Sequence, residues 1–411
     1  MEPGRLVQKC ICVRMGGMAR ISRRVILAAA PLLPLAPFIA RSLFGQHRGA
    51  RKAQLYMGTY THDIGPGGQA DGIYLAEWDA AAGALGPVGL AMKTTNPSFL
   101  AVPPSGDALY AVNENEDDPQ PGGGKGGSVT AFRRDRATGS LTQQNVKPSG
   151  GSGPCHIVVD RRNRAVFVAN YSSGSLTSFR VTPQGIEGPV FQFNSHGSGP
   201  NKERQAGPHI HCVTLSPDER FLLVNDLGTD HIWIFHVDLK TAELKETGAP
   251  WQAKPGSGPR HTHFHPSGKW VYSINEMAST VDVLAWDAKN GILRSLTEVA
   301  LRDPAFTGES NAAELAIDRM GRFLYASNRG EDVLVVFAID AASGALTFVQ
   351  RVGCGGKNPR DFSLDPSERW LVAANQDTQN VVVFERDPHT GKLTQTDRSA
   401  HVGAPVGVLF V

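Results

Sequence analysis

The sequence predicts an all-β protein, a seven-bladed β-propeller of four-stranded blades whose ring is closed by the C-terminal strand completing the N-terminal blade. The first observation is a turn-rich composition, with 45 Gly and 27 Pro in 411 residues and only 19% charged residues. The second is a strand-turn-strand unit that recurs six times. The third is a pair of partial repeats at the two chain ends. An array of short strands of this length can bury a large core between stacked sheets without dividing into domains.

Each repeat is anchored by an asparagine at the end of its second strand. The anchors lie 47 to 57 residues apart, close to the periods that indicate propeller blades. The six anchors are Asn113, Asn170, Asn225, Asn275, Asn328 and Asn375. A third strand follows each anchor, and a Gly-centred turn such as residues 138–141 (Thr-Gly-Ser-Leu) then opens a fourth. We interpret the asparagine as structural, an amide that satisfies backbone groups where the strand ends.

The two chain ends together supply a seventh blade. Residues 55–60 match the second strand of the repeat, residues 71–76 the third and residues 82–85 the fourth. The missing first strand is at residues 404–410 (Ala-Pro-Val-Gly-Val-Leu-Phe), which match residues 96–102 (Asn-Pro-Ser-Phe-Leu-Ala-Val). Pairing the two ends would remove the open edge of the ring.

The first 45 residues are predicted to be an export signal and linker, and the propeller is predicted to span residues 53–411. Arg23 and Arg24 precede a short apolar run interrupted by prolines, which resembles a twin-arginine export signal. The run is shorter than the roughly 20 apolar residues that a membrane span needs, so no stable span is expected. We therefore expect a periplasmic or secreted protein, with a cytoplasmic one as the alternative.

The positive charge of the chain belongs to this leader. Residues 1–40 carry six Arg and Lys against one acid, whereas the remainder has 35 bases and 38 acids. A nearly neutral remainder carries no basic footprint for nucleic acid. The expected partner is a small molecule, and the chain is expected to be a monomer.

Titratable side chains recur at equivalent positions of the repeat. The position fourteen residues before each anchor holds Phe99, His156, His211, His261, Glu314 and Asp361. The preceding position includes Arg260 and Arg360, and the residue after the anchor includes Glu276 and Arg329. The first strands of a propeller line its central channel, so these side chains are expected to converge on one place. Such a concentration of ionisable groups indicates a functional site.

Five histidines raise the question of a metal. His261, His263 and His265 alternate onto one face of a strand, and His209 and His211 lie in the preceding repeat. No cysteine or carboxylate accompanies them at a recognised ligand spacing. We therefore predict no metal and no cofactor.

Short motifs along the chain resemble one known family, the lactonase-type seven-bladed β-propellers. The motifs are residues 58–61 (Gly-Thr-Tyr-Thr), 207–211 (Gly-Pro-His-Ile-His), 258–261 (Gly-Pro-Arg-His), 274–276 (Ile-Asn-Glu), 327–330 (Ser-Asn-Arg-Gly) and 374–377 (Ala-Asn-Gln-Asp). The family includes the propeller type of 6-phosphogluconolactonase and the fungal carboxymuconate-cyclising enzymes. The resemblance extends over nearly everything after the leader.

The resemblance implies a hydrolase that opens an anionic or polyhydroxylated sugar-acid lactone without a cofactor. Its functional cluster falls on His211, Arg260, Glu276 and Arg329. The two arginines would bind a carboxylate or phosphate, or stabilise the oxyanion. His211 first, and His156 next, would activate water or move the proton, and Glu276 would orient that imidazole or serve as the alternate base.

Five further residues are expected to bind substrate: His209, His261, Glu314, Arg360 and Asp361. Two other functions stay open: a muconate-type cycloisomerase that uses the same site, and a propeller that binds a ligand without catalysis.

Overall fold

The computed structural model describes residues 53–61, 70–119 and 124–411. All the regular structure in these residues is β-strand. The expected export signal and linker at residues 1–45 lies outside the described residues. Within the part that is described, no helix is long and apolar enough to cross a membrane.

The strands are numbered in chain order. The first three blades and their connections use β1 (Ala53–Thr59), β2 (Gly72–Asp79), β3 (Ala84–Leu85), β4 (Gly89–Lys93), β5 (Phe99–Ala101), β6 (Ala108–Pro119), β7 (Lys125–Arg134), β8 (Leu141–Pro148), β9 (Pro154–Val159), β10 (Ala165–Asn170), β11 (Ser175–Thr182) and β12 (Gly185–Asn194). The fourth and fifth use β13 (Ile210–Leu215), β14 (Phe221–Asp226), β15 (His231–Asp238), β16 (Glu243–Glu246), β17 (Trp251–Gln252), β18 (Pro259–Phe264), β19 (Trp270–Asn275), β20 (Thr280–Asp287) and β21 (Ile292–Ala300). The rest are β22 (Asn311–Ile317), β23 (Phe323–Arg329), β24 (Val333–Ile339), β25 (Leu346–Gly353), β26 (Pro359–Leu364), β27 (Trp370–Asn375), β28 (Asn380–Arg386), β29 (Leu393–His401) and β30 (Pro405–Phe410).

These strands form seven antiparallel sheets, and the predicted seven-bladed propeller is confirmed. Six blades contain consecutive strands, starting with β5, β9, β13, β18, β22 and β26 as the first strand of each. The remaining blade is assembled from both chain ends, in the order β3-β2-β1-β30. In it, Leu55 lies opposite Phe410 and Tyr56 opposite Leu409. The C-terminal strand therefore completes the N-terminal blade, as the matching half-repeats predicted.

The core lies between neighbouring blades, where the apolar faces of the sheets pack together. One such layer joins the fifth and sixth blades through Tyr272, Val283, Leu324 and Val335, all fully buried. Burial of this apolar surface is the main force that holds sheet on sheet. Each blade packs against two neighbours, so the core is shared between blades.

Buried tyrosines fasten adjacent blades at their outer edges. The Tyr272 hydroxyl donates to the carbonyl of Gly344 at 2.8 Å, and the Tyr325 hydroxyl donates to that of Gly391 at 3.0 Å. Both glycines have a positive φ, 74° and 73°, which other residues adopt only with strain. The Gly-centred turn of one blade therefore presents a carbonyl to the tyrosine of the blade before it.

The repeat pattern did not predict that the outer strand is split in two of the blades. The outer strand of the first blade is split, since β3 and β4 both pair with β2. In the fourth blade β16 and β17 both pair with β15. The anchor asparagines are buried, but only some of them bond the backbone as predicted. Asn375 donates to the Cys354 carbonyl at 3.1 Å, whereas Asn275 donates to two side chains, Thr280 Oγ1 at 3.0 Å and Asp282 Oδ2 at 2.8 Å.

Candidate active site at the propeller axis

The first strands bring one residue of each blade to the axis, and the expected ring is present. Six members are those at the repeat position defined above, and the seventh is Gly407, which pairs with Gly58 as His261 pairs with Ile274. The rings of His156 and His261 are 5.0 Å apart, and those of His211 and His261 are 5.1 Å apart. A Cβ on Gly407 would come within 2.8 Å of the Ser98 carbonyl oxygen. The glycine thus allows the closing strand to approach its neighbour.

Glu276 lies immediately beyond this ring and is surrounded by three arginines. Its Oε2 is 3.1 Å from Arg260 Nε and 2.9 Å from Arg329 Nη2. Its Oε1 accepts from Arg204 Nη2 at 2.6 Å. Burial acts to raise the pKa of Glu276, but the guanidiniums of Arg329, Arg260 and Arg204 outweigh it and hold that pKa well below its usual range. Glu276 is therefore a carboxylate that organises arginines, and it is poorly suited to be the alternate base that the resemblance implied.

The two buried arginines are held from behind by the backbone. Arg260 Nη1 donates to the carbonyl of Ala313 at 2.6 Å, and Arg329 donates to the carbonyls of Asn311 and Ala312 at 3.1 and 3.2 Å. Burial lowers the pKa of Arg329 to about 10 despite the nearby carboxylate, so it remains charged at neutral pH. Both cations are thus fixed in position before any ligand arrives, which is the arrangement that stabilises developing negative charge.

His261 is engaged at both ring nitrogens. Its Nδ1 is 2.7 Å from Glu314 Oε2, and its Nε2 is 3.3 Å from Arg260 Nη1. Burial, and then the charge of Arg260, hold the pKa of His261 well below its usual range. The neutral imidazole therefore donates from Nδ1 to Glu314 and accepts at Nε2 from Arg260. His261 supports Arg260 and has no nitrogen left over for substrate.

His211 differs from its neighbours. It is only 4% exposed, and its Nδ1 has no hydrogen-bond partner among the described residues. Burial, followed by the charge of Arg260, holds its pKa well below the usual range, so the imidazole is neutral at neutral pH. An orphaned buried nitrogen in a native site calls for a functional explanation. By contrast, His156 Nδ1 faces the Val213 amide at 3.5 Å and its Nε2 faces Cys212 Sγ at 3.6 Å.

Aromatic and basic side chains border the cluster of Glu276 with Arg204, Arg260 and Arg329. The rings of Tyr171 and His209 stack 4.4 Å apart, and His209 Nδ1 is 3.1 Å from the Tyr171 carbonyl. The Tyr171 ring also meets His211 edge-on at 5.5 Å. Arg204 Nη2 approaches the Tyr171 hydroxyl at 3.5 Å. His209 thus lies beside the cluster and contacts it through Tyr171.

Arg360 and Asp361 lie on the other side of the axis. The Arg360 guanidinium is 5.3 Å from the centre of the Tyr60 ring and 4.0 Å from Glu114 Oε1. Asp361 accepts the amide of Phe362 at 2.8 Å and that of Val408 at 2.6 Å. Burial, and then the neighbouring Glu314, raise the pKa of Asp361 well above its usual range. Asp361 therefore faces the axis while fastening the closing strand β30 to the seventh blade.

The axial ring separates two spaces. On the Glu276 side, a small cavity with space for about one water molecule is bordered by Glu114, Arg260, Arg360 and Asp361. At the opposite ends of the first strands, a wider cavity of about 570 Å³ reaches His156 and His263 but none of the arginines of the cluster. Among the residues that the structure describes, no three His, Cys, Asp or Glu side chains are grouped to hold a metal ion.

Repeat reasoning missed two members of this cluster. Tyr171 follows the anchor Asn170, at the repeat position that holds Glu276 and Arg329 in other blades. It was not predicted to be a site residue because a tyrosine at that position carries no charge. Arg204 lies in the connection between β12 and β13, where the blades have no equivalent residue. The only sequence signal for Arg204 was the composition of that long connection, residues 195–209, which carries three other basic residues, His196, Lys202 and His209.

Comparison with known proteins agrees with this architecture. The family "Lactonase, 7-bladed beta-propeller" matches residues 54–410. The 6-phosphogluconolactonase of Bacillus subtilis is 38% identical over 305 residues, which are 74% of this chain and 82% of that protein. A periplasmic gluconolactonase of Pseudomonas aeruginosa superposes with a TM-score of 0.80 at 34% identity, covering 87% of this chain and 99% of that one.

A further solved structure is described as a putative 6-phosphogluconolactonase from Bacteroides fragilis. It has a TM-score of 0.79 and 32% identity, and covers 88% of this chain and 98% of that chain. The family match spans every blade, including the one that β30 completes. The chain belongs to the lactonase family of seven-bladed β-propellers.

Proposed function

We propose that this protein is a hydrolase that opens the ring of a sugar-acid lactone, as the 6-phosphogluconolactonases and the gluconolactonase among its relatives are named to do. The observation that carries the proposal is a neutral imidazole, His211, whose buried Nδ1 has no hydrogen-bond partner among the described residues and which feels the charge of Arg260, together with two guanidiniums, Arg260 and Arg329, that Glu276 holds in place. Opening a lactone needs those two things: a base for water and positive charge for the carbonyl oxygen.

The reaction is proposed to begin with attack of water on the lactone carbonyl carbon. His211 accepts a proton from that water while the oxygen forms the new bond to carbon. The carbonyl oxygen becomes an oxyanion, which Arg260 and Arg329 stabilise. The ring C–O bond then breaks, and the imidazolium of His211 returns its proton to the departing alkoxide. The product is an open hydroxy acid, which releases its own proton to solution at neutral pH.

Glu276 supports this chemistry without taking a proton. Its lowered pKa keeps it ionised at neutral pH, so it holds the side chains of Arg260 and Arg329 toward the reacting group. His261 adds a second support, since its Nε2 accepts from Arg260. His156 has a neighbour at each of its ring nitrogens and is the reserve candidate for the proton.

A lactonase assay on single variants tests the proposal. Gluconolactone and its 6-phosphate are the substrates, and spontaneous hydrolysis is subtracted. We expect His211→Ala to lower kcat by about 10²–10⁴-fold, the usual contribution of acid–base catalysis. Arg260→Ala is expected to lower it by about 10²–10³-fold, as for a lost oxyanion donor.

Two exposed residues provide matched controls. His236→Ala removes an imidazole on the outside of the fourth blade, and Arg180→Gln removes a guanidinium that is 49% exposed and paired with Glu187. Both controls should retain wild-type turnover. Wild-type protein that binds a sugar acid but turns over no lactone would show a binding propeller instead.

We further propose that the mature chain is exported as a folded monomer. Support comes from Arg23 and Arg24 before the apolar run and from the periplasmic relative. Replacing both arginines by lysine should retain the protein in the cytoplasm, which cell fractionation would reveal. An unchanged distribution would contradict export by this route, and a sedimentation mass above 44.1 kDa would contradict the monomer.

A further inference from the structure

We propose that Arg204 recognises a second anionic group on the substrate, away from the lactone ring, and so determines whether the site prefers charged over neutral lactones. The inference rests on the proposed lactone hydrolysis and assigns a separate role at the same site. It concerns a residue outside the propeller repeat.

The first argument is the difference between Arg204 and the other arginines on Glu276. The side chain of Arg260 is 3% exposed and that of Arg329 is 13% exposed, whereas that of Arg204 is 40% exposed. Arg260 and Arg329 each donate to backbone carbonyls as well as to Glu276. Arg204 donates through Nη2 alone, and among the described residues no acceptor is bonded to its Nε or Nη1. It therefore has donors left to offer to a ligand at the solvent side.

The net charge of Glu276 and its arginines also favours binding of an anion by Arg204. Three guanidiniums surround the single carboxylate of Glu276, so the cluster has an excess of positive charge. Two of these cations are required at the carbonyl oxygen by the proposed reaction. The third can exchange Glu276 for an anion of the substrate at little cost, because Glu276 keeps its two buried partners. Planar guanidinium donors match both carboxylate and phosphate oxygens.

The third argument is that Arg204 is presented by an ordered turn. Asn201 Oδ1 accepts the amides of Glu203 and Arg204 at 3.0 and 3.1 Å. The next residue, Gln205, is fully buried and donates to the Leu227 carbonyl and to Asp230 Oδ1, both at 2.9 Å. The guanidinium is thus held near the cluster before substrate binds, which lowers the entropy lost on binding.

The test compares Arg204→Gln with the wild type on three lactones. Gluconolactone is neutral, its 6-phosphate carries a phosphate on the oxygen of carbon 6, and in glucarolactone carbon 6 is itself a carboxylate. We expect KM for at least one anionic lactone to rise about 10-fold, the lower end for a hydrogen bond to a charged group because Arg204 is partly exposed. KM for gluconolactone and kcat for all three should stay within about 2-fold of wild type. The anionic lactone that responds identifies the recognised group.

Two further variants sharpen the result. Arg204→Lys keeps the charge without the planar fork and should restore part of the lost affinity. Arg180→Gln removes a comparable exposed arginine elsewhere and should change nothing. An equal loss on all three lactones would overturn the inference and make Arg204 a support for Glu276. No change on any lactone would overturn it as well.

Calorimetry of the binding of 6-phosphogluconate, glucarate and gluconate tests the role of Arg204 independently of catalysis. Arg204→Gln should weaken binding of the phosphorylated acid or of glucarate by about 10-fold and leave gluconate unchanged. This result would support the inference even in a protein that turns over no lactone. Equal weakening of all the acids would refute it while leaving the proposed hydrolysis intact.

Discussion

Replacing Glu276 by glutamine probes the centre of the charged cluster. The change keeps the shape of the side chain but removes the negative charge that lies 2.6, 2.9 and 3.1 Å from Arg204, Arg329 and Arg260. Removing one partner of a buried ion pair costs about 3–5 kcal/mol, because the other charge stays buried without compensation. The contacts to Arg260 and Arg329 provide most of this, since the contact to the half-exposed Arg204 is screened by solvent.

The assay is thermal unfolding at neutral pH, accompanied by lactone turnover. For a propeller of this length, the specific entropy of unfolding converts that loss to a decrease in Tm of about 4–7 °C. The matched control is Glu187→Gln, whose carboxylate is 57% exposed and pairs with Arg180, and which should cost only a fraction of a kcal/mol. A Glu276→Gln variant as stable as this control would refute the account of Glu276 as the buried counter-ion.

A double variant separates charge from packing. If Glu276 stabilises by neutralising its arginines, then Glu276→Gln combined with Arg329→Gln should lose less stability than the sum of the two single changes. Contacting charged pairs usually differ from additivity by about 0.5–3 kcal/mol. Strict additivity would mean that the two side chains do not interact in the folded protein.

Three other expectations follow from the closure and from the pKa shifts. Deleting residues 404–411 should unfold the whole ring, because β30 pairs with β1 and closes it; circular dichroism that retains most of the strand signal would contradict this. On the acid side, kcat/KM should fall with a midpoint below pH 6.5. The pKa of His211 is lowered from that value, so the neutral base is lost only when the pH falls through the lowered pKa. A midpoint at or above 6.5 would exclude His211 as the base. Finally, a depressed histidine pKa means that the unfolded chain binds the proton first, so stability decreases as the pH falls below about 6.5, by up to about 1.4 kcal/mol per pH unit for each such imidazole. His211→Asn should remove that share, which chemical denaturation at pH 5 and 7 would detect as a smaller pH dependence than wild type; an equal dependence would contradict the shift.

Most of the fold was accessible from the sequence because a propeller repeats one local pattern. The asparagine at the end of each second strand marks the register of the repeat, and that register alone predicts that His211, Arg260, Glu276 and Arg329 converge. The closing strand was equally visible, since residues 404–410 repeat the pattern of the missing first strand. Alternating burial and turn-forming residues depend on neighbouring positions along the chain, so they can be recognised in short stretches of the sequence.

The details of the site were harder to predict because they depend on contacts between blades. Nothing in the sequence indicates that Glu276 is shared by three arginines or that both nitrogens of His261 are engaged. The resemblance implied that Glu276 orients the imidazole or serves as an alternate base, whereas its three arginine neighbours hold its pKa low and keep it ionised at neutral pH. Arg204 was missed because it lies in an irregular connection that has no counterpart in the other blades. Asp361 looked like a substrate ligand, yet both of its oxygens accept backbone amides.

In the proposed reaction, His211 and Arg260 act in one transition state at the axis of the ring. The most direct test is the turnover of gluconolactone by the His211→Ala/Arg260→Ala double variant beside the two single variants. Residues that act as a unit are far from additive, so the account predicts a double variant no slower than the slower of the two single variants. Single variants that keep wild-type turnover while remaining folded would contradict the claim.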